Sequence, residues 1–202
     1  MFRFLRLLAA TALAAFVLSG CATGYLLDNQ VQSFSQLAAL PAAPTYRFER
    51  TLSQQADPTQ QGLEALADPA LHRAGLRRDD ATPRFSVQVG ARVERVLSPY
   101  ASPWDTPWGW GGWGLGYGGR HFGVGLGGPW PAMQSTWIQR EVSVILRDLG
   151  TNRVVYETRA VNEGPWLDNR TVLAAMFEAA LQGFPASPAG PRRVDIQVGG
   201  QR

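Results

Sequence analysis

An α+β fold, with a largely antiparallel sheet packed against two helical segments, is what this 202-residue chain predicts. Two observations carry that expectation. Stretches of alternating apolar and polar residues outnumber stretches with helical spacing, and the two kinds do not alternate strictly along the chain, as they would in a parallel α/β protein. A third observation qualifies it: a segment of glycine and aromatic residues interrupts the strand patterns and has neither period.

The strand elements come first. "VQSFSQL" and "PTYRFE" read as short strands; in the second, Tyr46 and Phe48 alternate with Thr45, Arg47 and Glu49. Pro41 and Pro44 punctuate the gap between them. From Thr59 to Ala74 the period becomes helical, with Leu63, Leu66, Ala67, Ala70, Leu71 and Ala74 on one face. Pro69 lies inside this run. Asp68-Pro69 fits a cap followed by proline at the first helical position, so the segment is either one kinked helix or two short ones. Gly75 fits a C-terminal cap.

"RFSVQVGARVERVL" returns to alternation through Phe85, Val87, Val89, Ala91 and Val93, and the pattern slips at Arg95-Val96, a signal for a bulge. Alternation resumes at Trp137. Val142, Val144 and Leu146, then Val154, Tyr156, Thr158 and Ala160, form a hairpin about the turn formers of "DLGTN". The last clear element is "DNRTVLAAMFEAALQGFP". Asp168 or Asn169 caps it, and Val172, Leu173, Met176, Phe177, Ala180, Leu181 and Phe184 make one broad apolar face. Gly183 and Pro185 end it. The tail beyond holds "RVDIQV", which suits a strand or a disordered segment equally.

The N-terminus carries a different message. Arg3 and Arg6 precede an apolar run over residues 7–18, broken only by Thr11, and small residues follow. This is the layout of a secretory signal. The run is shorter than the roughly 20 residues needed to cross a bilayer. Its ending, Leu18-Ser19-Gly20-Cys21, resembles the lipobox of bacterial lipoproteins. That resemblance implies cleavage before Cys21, a diacylglycerol on its sulfur and an acyl group on the new amine; no other cofactor is expected. It also implies an outer-membrane location on the periplasmic face, because Ala rather than Asp follows the cysteine. Two or more acyl chains anchor a protein stably, where one does not. Cys21 is the only cysteine, so no disulfide can support the mature chain.

The expected layout is therefore a leader over residues 1–20, a lipidated tether over 21–30, a domain over 31–185 with an insertion at 98–136, and a C-terminal tail over 186–202. Charge narrows the partners. All 19 basic residues are arginine, against 16 acids, and loss of Arg3 and Arg6 leaves a nearly neutral chain without a basic patch. Nucleic acid is not an expected partner. The membrane is, through the anchor, with an envelope protein or glycan as a further one.

The insertion "WGWGGWGLGYGG" contains a formal GxGxxG, but no strand leads into it and Pro129 and Pro131 oppose a helix after it, so it is not a dinucleotide loop. Trp104, Trp108, Trp110, Trp113, Tyr117 and Trp130 suit stacking on sugars or residence at a bilayer interface. Arg120 alone provides positive charge among them, which argues against single-stranded nucleic acid. The plain reading is a glycine-rich insertion between two strands; membrane, glycan or protein contact are the alternatives. His72 and His121 are far apart and form no metal motif, Asp79-Asp80 read as solvated charges, and no nucleophile motif such as GxSxG occurs. No catalytic residue and no metal site is predicted, and an enzyme is not expected.

The order of elements, with "PTYRFE", "LHRAGL" before "RFSVQV", "VILRDLGTNRVVYETRA" and "ALQGFP", resembles a family of bacterial lipoproteins carrying a domain of unknown function, DUF4136, over about residues 31–185. Tyr156 stands where a Trp is common in that family, and the chain continues past "GFP". The resemblance implies an anchored envelope domain with no established activity and no catalytic residue to carry over.

Overall fold

The alternating segments assemble into one open seven-stranded sheet in the computed structural model, which describes residues 24–96, 137–186, 188 and 190–199. The strands are β1 (Tyr25–Ser35), β2 (Thr45–Phe48), β3 (Arg77–Arg78), β4 (Phe85–Val96), β5 (Trp137–Asp148), β6 (Arg153–Gly164) and β7 (Arg192–Val198). Among the described residues three helices accompany them: α1 (Leu52–Gln55), α2 (Pro58–Arg73) and α3 (Asn169–Leu181). The strand order is β3-β2-β4-β5-β6-β1-β7. Pairing is antiparallel everywhere except where β2 lies parallel to β3 and β4. The α+β architecture is the one predicted. The short α1 was not predicted; its four residues bury nothing, so no apolar pattern marks it.

Side-chain alternation divides the sheet into two faces. One is covered by α2 and α3 and buries Val31, Val87, Val142, Val144, Leu146, Tyr156 and Ala160 together with Met176 and Phe177. The other is solvated and polar, with cross-strand partners such as Arg159–Glu141 at 3.6 Å and Gln139 Nε2 donating to Glu163 at 2.8 Å. A half-covered sheet explains why alternation, rather than continuous apolar runs, was legible.

Two open expectations are settled and three change. The helical run is one helix through Pro69, and its cap is Asp57, whose side chain accepts from the Thr59 amide at 2.8 Å with Pro58 following. Asp68 is no cap, because its Oδ1 accepts the Tyr46 hydroxyl from the sheet. That contact and burial raise the Tyr46 phenol far above its usual range, with burial the larger cause. The β4–β5 register runs unbroken through Arg95↔Ile138 and Val96↔Trp137, so there is no bulge at 95–96. The irregularity lies instead in the β5–β6 hairpin between Leu146 and Arg147, where Leu146 faces Tyr156 and Arg147 faces Val154. Val155 is the extra residue, and its carbonyl accepts from Gln36 N at 2.8 Å as β1 ends. Residues 25–30, read as tether, are the first part of β1, and the tail strand is real: β7 pairs along β1 from Tyr25↔Val198 to Val31↔Arg192.

Helix ends follow local chemistry. Gly75 has φ +96°, Gly75 N donates to His72 O and Leu76 N to Leu71 O, which together close α2 in a Schellman motif. Asp168 caps α3, accepting from the Arg170 amide at 3.1 Å and the Thr171 amide at 3.3 Å. The predicted face of α3 is buried, from Val172 to Leu181, while Phe184 is partly buried and meets Tyr156 edge-on at 4.7 Å.

Candidate functional site

Strand register brings several sequence-distant points to one end of the sheet. Val96, the last residue of β4, pairs with Trp137, the first of β5. Residues 97–136 are therefore inserted between two paired strand ends. Ile138 pairs with Gly164 at the end of β6, and β1, antiparallel to β6, begins at Tyr25 on the same side. The start of β1, the strand ends flanking the insertion and the start of α3 all meet at this end, here called the tether end.

Its interior is unusual. Beyond Val142 on β5 the next core-facing position is Arg140, fully buried. Its neighbour on β6 is Asn162, and Asn29 on β1 follows beyond the Gln30↔Val161 pair; both are buried. Asn162 Nδ2 donates to Asp28 O at 2.8 Å, and Asn29 Nδ2 to Leu27 O and Val194 O, each at 3.1 Å. Arg140 has no carboxylate against it. Nε donates to Asn169 Oδ1 at 2.8 Å and Nη2 to the Trp166 carbonyl. Nη1, Asn29 Oδ1 and Asn162 Oδ1 have no hydrogen-bond partner among the described residues. Desolvation lowers the Arg140 pKa, partly offset by the fields of Tyr25 and Asp168. Arg140 thus ties the β6–α3 connection to the sheet.

Aromatic rings cover the end of this row on the same side of the sheet: Tyr25 and Trp166 are partly buried and pack against the core. Gly164 leaves space that a Cβ would fill, meeting Trp166 Cδ1 at 2.8 Å, and the indole folds back there. Tyr25 stacks on it, with ring centroids 4.0 Å apart and planes inclined by 18°. The neighbours of this pair are exposed apolar residues, Leu26 at 52% and Leu167 at 77%. A groove of about 530 Å³ lies nearby between α2, β4 and α3, lined by Gln60, Leu63, Leu66, Ala91, Val93 and Leu173.

The lipobox residues Leu18, Ser19, Gly20 and Cys21, the aromatic set Trp104, Trp108, Trp110, Trp113, Tyr117 and Trp130, and His121 lie outside the described residues. His72 sits in the last turn of α2. Asp79 and Asp80 do not face one another as acid and base. Asp79 accepts from Thr82 Oγ1 at 2.7 Å and from the Ala81 and Thr82 amides, which hold its pKa below the usual carboxylate value, whereas Asp80 meets Arg78 at 3.2 Å. Among the described residues no three or more His, Cys, Asp or Glu side chains gather as a metal site. Tyr25, Trp166 and Arg140 escaped sequence reasoning. Their partners are remote in sequence, and the usable signal was the apolar "YLL" so soon after the cysteine.

These features define an α+β domain: an open sheet with helices on one face and a polar, arginine-centred row beneath one end. Residues 30–186 match the model of the family described as Domain of unknown function (DUF4136), and the chain belongs to that family. The match omits β7 and the first residues of β1, which complete the sheet edge. Among solved structures the chain is similar to a PDZ domain protein from Parabacteroides distasonis, at 14% identity and TM-score 0.49, covering 94% of this chain and 42% of that one. It is also similar to a PelC dodecamer from Paraburkholderia phytofirmans, at 13% identity and TM-score 0.45, covering 82% of this chain and 100% of that one. A minor lipoprotein from Acinetobacter baumannii is similar at 9% identity and TM-score 0.33, covering 70% of this chain and 89% of that one. No curated protein matches the sequence.

Proposed function

We propose that this is a lipid-anchored protein of the outer membrane, exposed on the periplasmic face, whose domain has a non-catalytic structural or interaction role in the envelope. The observation that carries this reading is the junction at the N-terminus. A leader ending Leu18-Ser19-Gly20-Cys21 passes into the family domain with almost no spacer, since β1 begins at Tyr25. Acyl groups on Cys21 would supply the membrane attachment; among the described residues no helix is long and apolar enough to cross a bilayer. A non-catalytic role is supported by how the perturbed carboxylates are used. Asp79, Asp148 and Asp168 each accept backbone amides of a turn or helix cap.

The test is Cys21→Ser followed by membrane fractionation. The anchored protein is expected to lose its processed, membrane-bound form; unchanged processing and sedimentation would contradict the anchor. A second reading, lipid or glycan binding by the Gly/Trp insertion, is favoured by the paired Val96–Trp137 rung at the tether end. Deleting residues 104–130 tests it. Loss of liposome or peptidoglycan binding by a folded domain is expected under this reading, and unchanged binding would remove it.

A further inference from the structure

We infer that the tether end of the sheet is a membrane-docking surface: Tyr25, Leu26, Trp166 and Leu167 rest on the lipid surface, with the strands rising away from it. The inference rests on lipidation of Cys21 as proposed above, and adds an orientation that anchoring alone does not give.

Tether length is the first argument. Tyr25 follows Cys21 by four residues, which span at most about 14 Å when fully extended. An acylated Cys21 lies at the bilayer interface, so the start of β1 cannot leave it by more than that. The opposite end of β1 is about 30 Å further on, at about 3.4 Å per residue between Tyr25 and Phe34. The sheet end facing the lipid is therefore fixed by the covalent chain, and it is the end with Trp166 and Leu167.

The second argument is residue type. Stacked Tyr25 and Trp166 are the two side chains most favoured at a membrane–water boundary, having apolar bodies and polar tips. Leu26 and Leu167, their neighbours in sequence, are each more than half exposed, Leu26 on the opposite face of β1 from Tyr25. Isolated exposed leucines are ordinary; these two flank an aromatic stack at the point where the lipid must lie. Arg140 and Asn169, holding the 165–169 connection from beneath, make the platform rigid.

Charge sets the lipid preference. Around this end Arg193 is matched by Asp28 and Asp195, each at 2.9 Å, and Arg92 meets Glu94 at 2.5 Å. Arg95 at the end of β4 and Arg170 at the start of α3 are also exposed here, alongside the carboxylates of Glu163 and Asp168. The charge is therefore mixed rather than cationic, and docking should differ little between zwitterionic and anionic vesicles and between low and high salt.

Cys21 is the only cysteine and its sulfur is blocked once acylated, so an introduced cysteine is the sole reactive thiol. Leu26→Cys, Leu167→Cys and, as the distal control, Phe34→Cys are spin-labelled in full-length lipidated protein reconstituted into phosphatidylcholine vesicles. Accessibility to oxygen and to a water-soluble nickel chelate is then measured. Labels at positions 26 and 167 are expected to lose nickel accessibility and gain oxygen accessibility, while the label at 34 does the reverse. Equal nickel accessibility at all three positions, in protein whose intact mass shows a lipidated Cys21, would overturn the docking orientation alone. A mass showing unmodified Cys21 would overturn the anchor and this inference with it.

Discussion

Within the same strands, the two ends of the sheet are built on opposite rules. Toward the β5–β6 turn the core-facing positions include Val144, Leu146 and Tyr156, and the outward positions are mostly polar or charged, with Ile145 and the exposed Phe34 as exceptions. Toward the tether Asn29, Asn162 and Arg140 interrupt the core-facing row between Leu27, Ile138 and Val142, and Leu26 appears outside. Burial alternates along all of β5, so backbone geometry is unchanged; only the chemistry placed on it differs. The distal end is a hydrophobic core, stabilised by area removed from water. The tether end is held by directed hydrogen bonds from a desolvated cation, an arrangement that fixes geometry more than it adds stability.

Variants can break or sharpen that contrast. Leu146→Ala, in the distal core, is expected to cost about 2–5 kcal/mol by urea denaturation, through lost transfer energy and a residual cavity. Arg140→Met should cost less, under about 2 kcal/mol, although Arg140 heads the fully buried side chains by volume. Losing the bonds to Asn169 and Trp166 is offset by no longer burying a charge. Hydrogen exchange should nevertheless rise at residues 165–169 in that variant. A cost equal to that of Leu146→Ala would dissolve the distinction. Asp168→Ala, removing the cap of α3, is expected to cost about 1 kcal/mol by the same assay. Arg92→Ala, at an exposed pair, should change stability by less than about 0.5 kcal/mol.

Acid adds a further check. Thr171 lowers the Asp168 pKa through its hydroxyl and amide, the Thr151 amide lowers that of Asp148, and Thr82 lowers that of Asp79. A carboxylate whose folded pKa is depressed adds stability above its unfolded pKa and loses it as pH falls through the folded value. The urea midpoint contribution of these caps should hold from neutrality to about pH 4 and then decline, the unfolded reference lying near pH 4. Asp148→Asn should flatten part of that decline.

Much of the distal half was legible because its signals are local. The buried face of α3, the β5–β6 hairpin and Gly75 as a terminator all follow from neighbours in sequence. The bulge was misplaced to 95–96, although doubled Val154-Val155 was the better signal: two adjacent apolar residues cannot share one face without an extra residue. Pro69, which removes a backbone donor inside the run, left one kinked helix and two short ones open, and the tertiary bond from Tyr46 to Asp68 that occupies the rival cap is invisible in a helical pattern. The tether half was harder. Residues 25–30 resemble a linker until β7 supplies a partner, and the Tyr25–Trp166 stack joins the two ends of the domain. Arg140 could not be read as buried, since arginine at an alternating position ordinarily marks the solvated face.

The orientation of the tether end toward lipid depends on the chemistry of Cys21, and the N-terminal peptide of the protein purified from membranes tests it most directly. Mass spectrometry is expected to find a chain beginning at Cys21, with diacylglycerol on the sulfur and an acyl group on the amine. A free Cys21 thiol, or a chain still carrying residues 1–20, would contradict the account.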